Sequence, residues 1–285
     1  MDAFRGAEFQ GRASILCPVG TAWRKWKAIF SIYFQDGLAY RASGFIWILT
    51  DVTTAVTMPL VWARSASASG RIAGFSGSDF VLYYLCMLLL GSFVTSHIMW
   101  EVAMEIKEGQ FSTMLVRPVS FLQYTFIRNL TWRIIRTGLF LPMFALMLFL
   151  YRGFLGSAHV YLGWEFWTSL VLGHLVSFSV VTTMAMLALF TQEVFSIFEL
   201  YYIPMLFLSG TLFPVSVMPS WVQAIAKVAP FYYTIGAPTE ILIGRVSGPQ
   251  ALQNMVVQLT WISVALLIGR FVWSRGLRYY SGVGM

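Results

Sequence analysis

Long stretches without formal charge dominate this sequence. Four of them can cross about 30 Å of hydrocarbon as a helix, which takes roughly 20 residues. They cover residues 80–100, 166–192, 200–226 and 246–269. Two more apolar stretches, residues 42–63 and 130–151, are interrupted by Asp51 and by the pair Arg133 and Arg136. Because 58% of the chain is hydrophobic and 11% is charged, a soluble fold is excluded. We predict an all-α membrane protein with six transmembrane helices.

Basic residues are distributed unequally between the two sides of these six spans. With both termini placed in the cytoplasm, 14 of the 19 lysines and arginines fall inside. The outer five are Arg64, Arg71, Arg152, Lys227 and Arg245. This asymmetry follows the positive-inside rule, provided that Arg133 and Arg136 extend to the cytoplasmic interface. We therefore predict that both termini are cytoplasmic.

The chain is expected to form one membrane domain over residues 1–285. Residues 1–40 would be a cytoplasmic tail and surface helix, residues 42–274 the six-helix membrane region, and residues 275–285 a second cytoplasmic tail.

The predicted surface helix has two kinds of side chain at helical spacing, large apolar ones and cations. The apolar group is Trp23, Trp26, Phe30 and Phe34, and the cations are Arg24, Lys25 and Lys27. We expect this helix to lie on the cytoplasmic face of the membrane. The alternative is a seventh buried helix, which three cations in four positions disfavour.

The predicted loop between spans 2 and 3 reads EVAMEIKEGQFSTMLVRPVS, residues 101–120. Its first part continues a helix, Gly109 permits a turn, and Pro118 ends the piece. A short amphipathic helix on a polar stalk suits docking into a groove of another protein, whereas the alternative is a solvated connector. The candidate docking residues are Glu101, Glu105, Lys107, Glu108, Gly109, Phe111, Arg117 and Pro118.

Residues 209–245 are too rich in proline for one helix and too apolar for a solvated loop. Short helices that dip into the outer leaflet reconcile these properties, since interrupted backbone survives there only when it is covered by protein or faces water. The candidate re-entrant residues are Gly210, Pro214, Pro219, Trp221, Pro230, Phe231, Tyr232 and Tyr233. The aromatic members of this set are expected to form an outer aromatic belt.

Asp51 lies near the middle of the first predicted span. A carboxylate there costs about 2.5 to 3.5 kcal/mol on insertion scales, so its side chain should face protein or water. It is a candidate for the substrate path or for pairing with a buried cation. A structural Asp near the interface is the alternative.

Motifs for energy conversion are missing from this sequence. None of its four lysines follows a glycine, as a Walker A lysine would, and the three histidines form no His-Glu-x-x-His pattern. We predict no catalytic, metal-binding or cofactor-binding site on this chain. The sequence Gly74-Phe75-Ser76-Gly77 matches the serine motif of rhomboid-type intramembrane proteases, which leaves a protease as one alternative function.

The order of these elements resembles the permease subunits of type-2 ABC exporters. A surface helix, six spans, a docking loop after span 2 and a proline-rich segment before span 6 occur in that family. The segments GTLFPVSVMPSWVQAIAKVAPFYYTIGAPTEILIG and EIKEGQFSTMLVRPVS are similar to its corresponding regions. The piece LVRPVS and the ending RYYSGVGM are similar to a small bacterial subgroup of proposed viologen and drug exporters.

This resemblance implies a division of labour between several chains in the bacterial inner membrane. Two permeases would pair, as a homodimer or a heterodimer, and separately encoded ABC ATPases would bind ATP and Mg and dock on residues 101–111. Membrane lipids are expected partners and nucleic acid is not. ATP binding would drive alternating access. A secondary multidrug transporter, independent of any ATPase, is the alternative.

Overall fold

A computed structural model describes residues 19–39, 46, 56–68, 70–156, 159–191 and 194–280 of the chain. All regular elements within these ranges are helical. Four helices in the described ranges are long and apolar enough to cross a membrane: Gly77–Lys107, Phe121–Leu150, Trp164–Leu189 and Pro249–Tyr279. They correspond to predicted spans 2, 3, 4 and 6, so the prediction of an all-α membrane protein is confirmed.

Eleven α-helices are labelled here in chain order. The first six are α1 (Val19–Ala39), α2 (56–68), α3 (Gly77–Val94), α4 (Ile98–Lys107), α5 (Phe111–Leu115) and α6 (Phe121–Leu150). The others are α7 (Trp164–Ala185), α8 (Val194–Leu208), α9 (Ser220–Val228), α10 (Ala237–Leu242) and α11 (Pro249–Tyr279). A 3₁₀ turn over Met186–Leu189 extends α7, another lies at Val215–Val217, and a π-helical turn over Tyr232–Gly236 leads into α10.

The prediction that residues 200–226 form one span is wrong. The helix α8 begins earlier, at Val194, and ends at Leu208. Its 15 residues reach about 22 Å, which is shorter than the hydrocarbon core of a bilayer. The chain then continues through non-helical backbone and short helices, because Pro214 and Pro219 lack the N–H group that a continuous helix needs.

The last helix is longer than predicted. The helix α11 continues ten residues past the predicted end of span 6 and stops at Tyr279, so residues 275–279 of the expected tail are helical. Most of predicted span 1, including Asp51, lies outside the described residues. The described residues of that span are residue 46 and residues 56–63, and the latter form the first part of α2.

Two large apolar cores and two smaller ones support the described part of the bundle, and the large ones lie around α3 and α4. One surrounds α3 and includes Phe75, Phe80 and Phe166, and the other surrounds α4 and includes Phe111 and Phe198. Most residues in the apolar stretches of Gly77–Lys107 and Trp164–Leu189 are buried, whereas most of those in α6 and α11 are not. Exposed apolar surface of this extent on long helices is expected of side chains that face lipid.

Candidate functional site

The second transmembrane span is broken near its middle. The helix α3 ends at Val94 and α4 begins at Ile98, with Thr95, Ser96 and His97 between them. The backbone N–H of Ser96 donates to Ser177 Oγ at 2.9 Å, and Arg133 donates to the carbonyl of Thr95. Neighbouring side chains therefore satisfy part of the interrupted backbone, as a break at this depth requires.

A buried polar network extends from this break into α6 and α7. Ser96 Oγ donates to Asn129 Oδ1 at 2.9 Å. The amide of Asn129 lies 3.4 Å from His174 Nε2. These side chains are buried and join three spans through hydrogen bonds. The helix break is therefore stabilised by specific contacts with α6 and α7.

A cavity of about 220 Å³ lies beside the break. Apolar side chains of α3 and α8 form much of its wall. The polar members of its lining are Tyr84, Ser92, Thr95, His97, Arg136, Tyr202 and Thr211. A concave apolar wall with a few polar groups is typical of ligand sites, and polar groups at membrane depth commonly mark transport pathways.

Arg133 and Arg136 do not extend to the interface, which was the condition for counting them as cytoplasmic. Their exposed fractions are 1% and 8%, because Arg133 turns inward to the helix break and Arg136 lines the cavity. Neither arginine therefore supports the charge asymmetry used to orient the chain. One signal in the sequence marks this region, since Thr95, Ser96 and His97 form a run of polar residues within a predicted span.

The stalk after the break is fixed to α6 by charge. Arg128 contacts both Glu101, with Nε 3.3 Å from Oε2, and Glu105, through Nη1 and Oε1. Glu101 and Glu105 lie four residues apart, so they share one face of α4. The two carboxylates thus contact the chain's own arginine, although Glu101 also keeps 51% of its side-chain surface exposed.

The loop beyond the stalk has the predicted turn. Gly109 adopts a φ of +77°, which disfavours residues with a side chain, and α5 follows. Lys107, Glu108, Arg117 and Pro118 are exposed and Gly109 is half-buried. Val116, which is not among the predicted docking residues, is the most exposed large apolar side chain of this loop at 82% exposure. We name residues 107–110 and 116–118 the loop tip.

Phe111 does not lie on the outer surface of this loop. Its ring is buried against the rings of Phe121, Trp273 and Tyr280, at centroid distances of 5.3 to 5.9 Å. It joins α5 to α6 and α11 and is unavailable to a partner in this arrangement. The apolar face of α5 therefore packs on the chain itself.

The predicted surface helix is present as α1 and packs on α6. Tyr33 donates a hydrogen bond to the hydroxyl of Tyr124, and its ring centroid lies 5.8 Å from the Arg128 guanidinium. Burial and the hydrogen bond to Tyr124 raise the pKa of the Tyr33 hydroxyl above its ordinary value, so the group is neutral at physiological pH. The same arginine thus connects α1, α4 and α6.

The outer part of α1 carries the other predicted residues. Trp23 and Trp26 are exposed beside the cations Arg24, Lys25 and Lys27, and Phe30 is half-buried. The ring of Phe30 stacks on that of Phe34 with a centroid distance of 5.8 Å. Exposed indole rings beside cations fit the headgroup region of a membrane.

The re-entrant candidates lie in residues 209–245, which form a hairpin of short helices that packs into the bundle. Gly210 has a φ of +89°, and its carbonyl accepts a hydrogen bond from the Tyr83 hydroxyl at 2.9 Å. Pro214 is buried, Pro219 precedes α9, and Pro230 and Phe231 are half-buried in the turn after α9. Protein therefore covers this interrupted backbone, as is required at membrane depth, where no water can satisfy the free N–H and C=O groups.

The prediction that these aromatic residues form one outer belt is wrong in part. Trp221 is exposed, but Tyr232 and Tyr233 are buried in the hairpin. Tyr232 donates to Glu240 Oε2 and Tyr233 to the carbonyl of Lys227, both at 2.8 Å. Their hydroxyls find internal partners, so these rings fix the hairpin.

Ser76 has a structural role that accounts for the protease-like motif. It caps α3: Ser76 Oγ accepts from the backbone N–H of Asp79 at 3.2 Å, and the backbone N–H of Ser76 donates to the Asp79 carboxylate at 2.8 Å. This reciprocal arrangement is a capping box. In the described part of the chain, the hydroxyl contacts no histidine.

Long apolar helices, a broken span beside a cavity and a polar loop at the end of that span define a membrane transport protein. A family profile described as ABC-2 family transporter protein matches residues 52–284. The chain therefore belongs to this family and is a type-2 ABC permease, a membrane transport subunit rather than an enzyme. Among curated proteins, no sequence matches this chain.

Proposed function

We propose that this chain forms the substrate pathway of an ATP-driven exporter and that separate ABC ATPases dock on its loop tip. Membership of the ABC-2 family supports this assignment. The observation that carries it is the continuity of the loop tip, the stalk α4 and the broken span. One end of α4 presents exposed charge, and the other end borders the cavity.

The geometry suits mechanical transmission from the loop tip to the cavity. The helix α4 is about 15 Å long, and its two carboxylates contact Arg128 on α6. A short helix anchored in this way moves as a unit with its neighbours. When ATP closes the ATPase dimer, displacement of the loop tip would move α4 and change the shape of the cavity at residues 95–97.

The proposed exporter is a dimer of permeases that carries an apolar or cationic substrate. Two permeases pair, as a homodimer or a heterodimer, with both termini in the cytoplasm of a bacterial inner membrane. Export requires that the substrate bind the two states with different affinity. Aromatic side chains along the pathway suit organic cations or lipid-like molecules, in keeping with a drug-exporter subgroup. Asp51 remains a candidate for this pathway.

The first test isolates the complex from native membranes. Affinity purification of the full chain is expected to recover a Walker A protein, and substrate uptake into inside-out vesicles is expected to require ATP. Uptake driven by an ion gradient in vesicles without any ATPase would contradict the proposal and favour a secondary transporter.

The second test places a charge on the loop tip. Val116→Asp is expected to weaken ATPase binding tenfold or more, because a buried carboxylate replaces an apolar contact at an interface. Since Val116 is exposed, the thermal unfolding temperature of the permease should not change. Binding is measured by titrating the ATPase onto the permease in nanodiscs.

The matched control is Val160→Asp, at an exposed valine beyond the other end of α6. This variant should bind the ATPase as the unmodified protein does. Equal binding by both variants would remove the loop tip from the docking surface.

A further inference from the structure

A groove of about 440 Å³ lies at the end of the bundle that carries α5. Its walls come from α5, the beginning of α6, the end of α7 and α11. Leu122 and Leu266 line it and are themselves exposed, so the groove opens onto the apolar outer surface of the long helices. A ligand that enters from this side must be compatible with hydrocarbon.

The charge of the groove is positive. Arg117 and Arg270 both line it, and none of the described residues in its lining is acidic. Arg117 Nη1 donates to the Tyr124 hydroxyl at 3.2 Å, which leaves its other N–H donors for a ligand. The guanidinium of Arg270 has no carboxylate within ion-pair distance among the described residues.

The N-terminus of a 30-residue helix adds to this positive potential. The helix α6 begins at Phe121, its cap Ser120 lines the groove, and its first turn contains no acidic side chain. The free N–H groups and the dipole at such an end favour an anion.

A buried hydroxyl in the groove points independently to a ligand. Thr182 lines the groove with 1% of its surface exposed, and its Oγ1 has no hydrogen-bond partner among the described residues. The neighbouring Thr183 donates to the backbone carbonyl of Ser179 at 2.8 Å, the usual arrangement for a helical threonine. An unpaired buried hydroxyl is costly, so a polar group of a ligand at Thr182 would be favourable.

We infer that this groove binds a phospholipid with a net negative headgroup. Arg117, Arg270 and the start of α6 would bind the phosphate, and the acyl chains would lie on the apolar wall beside Leu266. An ester carbonyl of the lipid would accept a hydrogen bond from Thr182. A basic pocket between transmembrane helices is suited to anionic lipid. This inference does not depend on ATP-driven export.

The test measures lipid binding by native mass spectrometry of the full chain in detergent. Dioleoyl phosphatidylglycerol is expected to bind at least tenfold more tightly than dioleoyl phosphatidylcholine. The double variant Arg117→Gln/Arg270→Gln should abolish this preference. The matched control is Arg275→Gln/Arg278→Gln, which removes two exposed charges of the same helix end that do not line the groove, and it should retain the preference.

A second variant examines the hydroxyl separately. Thr182→Val keeps the side-chain shape and is expected to lower phosphatidylglycerol affinity three- to tenfold. In lipid-free detergent its unfolding temperature should stay the same or rise, because an unpaired hydroxyl is removed. A protein that unfolds at lower temperature without lipid and binds phosphatidylglycerol normally would contradict the role given to Thr182.

Four results would overturn the inference. The first is unchanged lipid preference in the Arg117→Gln/Arg270→Gln variant, and the second is an equal loss in the control, which would indicate general surface charge. The third is a groove occupied by a second copy of the chain, detected as disulfide crosslinking between Leu266→Cys protomers that excludes the lipid. Competition by inorganic phosphate at equal concentration would also contradict a lipid ligand.

Discussion

Replacing Gly173 with alanine is expected to prevent normal packing of the hairpin and to lower the free energy of unfolding by at least about 3 kcal/mol. Gly173 lies on α7, opposite the π-helical turn. A Cβ atom at this position would lie 2.2 Å from the carbonyl oxygen of Thr234. That oxygen belongs to the backbone, so a side-chain rotation cannot relieve the overlap.

The expected loss is large because several contacts depend on this close approach. Gln258 Nε2 bridges α7 and the hairpin, lying 3.0 Å from the carbonyl of Ser169 and 2.9 Å from that of Tyr233. Moving the hairpin outward to fit one methyl group would separate these acceptors. Buried polar groups that lose their partners add to the steric cost.

The comparison variant is Gly138→Ala on α6. It is also a glycine within a long helix, but a Cβ atom there would meet no atom within 4 Å. Its stability should be unchanged or slightly higher, since alanine favours helix over glycine. Thermal unfolding of both purified variants, with size-exclusion profiles, gives the measurement. Equal stability of the two variants would mean that the hairpin does not pack on α7 as described.

The four long helices could be predicted because their signal is local. A run of about 20 apolar residues has few options in hydrocarbon, whatever its neighbours are. The fifth span was wrongly predicted at residues 200–226, because the absence of charge in this stretch does not show where a helix within it begins or ends. The proline residues after Leu208 contained the missing information, and the structure places the end of α8 before them.

The polar run in the second span marks the region of the break, but it does not by itself predict that the helix ends there. Thr95, Ser96 and His97 leave the helix where partners on α6 and α7 satisfy the backbone. Those partners are distant in sequence. The same reason explains Arg133, whose long side chain can extend to an interface or turn inward, depending on the acceptor that the fold provides.

The docking loop shows a similar limit. Its turn at Gly109 followed from local backbone preference, and the structure has it. The direction of the Phe111 side chain could not be predicted in this way, because an apolar residue in an amphipathic helix can face a partner or its own chain. Trp273 and Tyr280, far along the sequence, decide the matter by enclosing its ring.

Replacing Arg128 with methionine is expected to lower the free energy of unfolding by about 3 kcal/mol and to release α1 and α4 from α6. The arginine side chain is 7% exposed, and its removal leaves the Glu105 carboxylate without a cation in a partly buried position. Glu101 contributes less, since half of its side chain stays in contact with solvent. Hydrogen exchange of Val19–Ala39 should accelerate together with that of Ile98–Lys107.

The decisive comparison removes the carboxylates as well. The triple variant Arg128→Met/Glu101→Gln/Glu105→Gln has no uncompensated charge, so it should regain most of the lost stability. Because it lacks the cation near Tyr33, it should still show faster exchange in α1. Arg278→Met, at an exposed arginine in the last turn of α11, should change neither measurement.

If the triple variant were as unstable as the single one, the loss would come from packing of the arginine stem, and charge would not be what fixes the stalk. If instead stability returned and vesicle transport did not, then the ion pairs would be needed for transmission from the loop tip and not for folding.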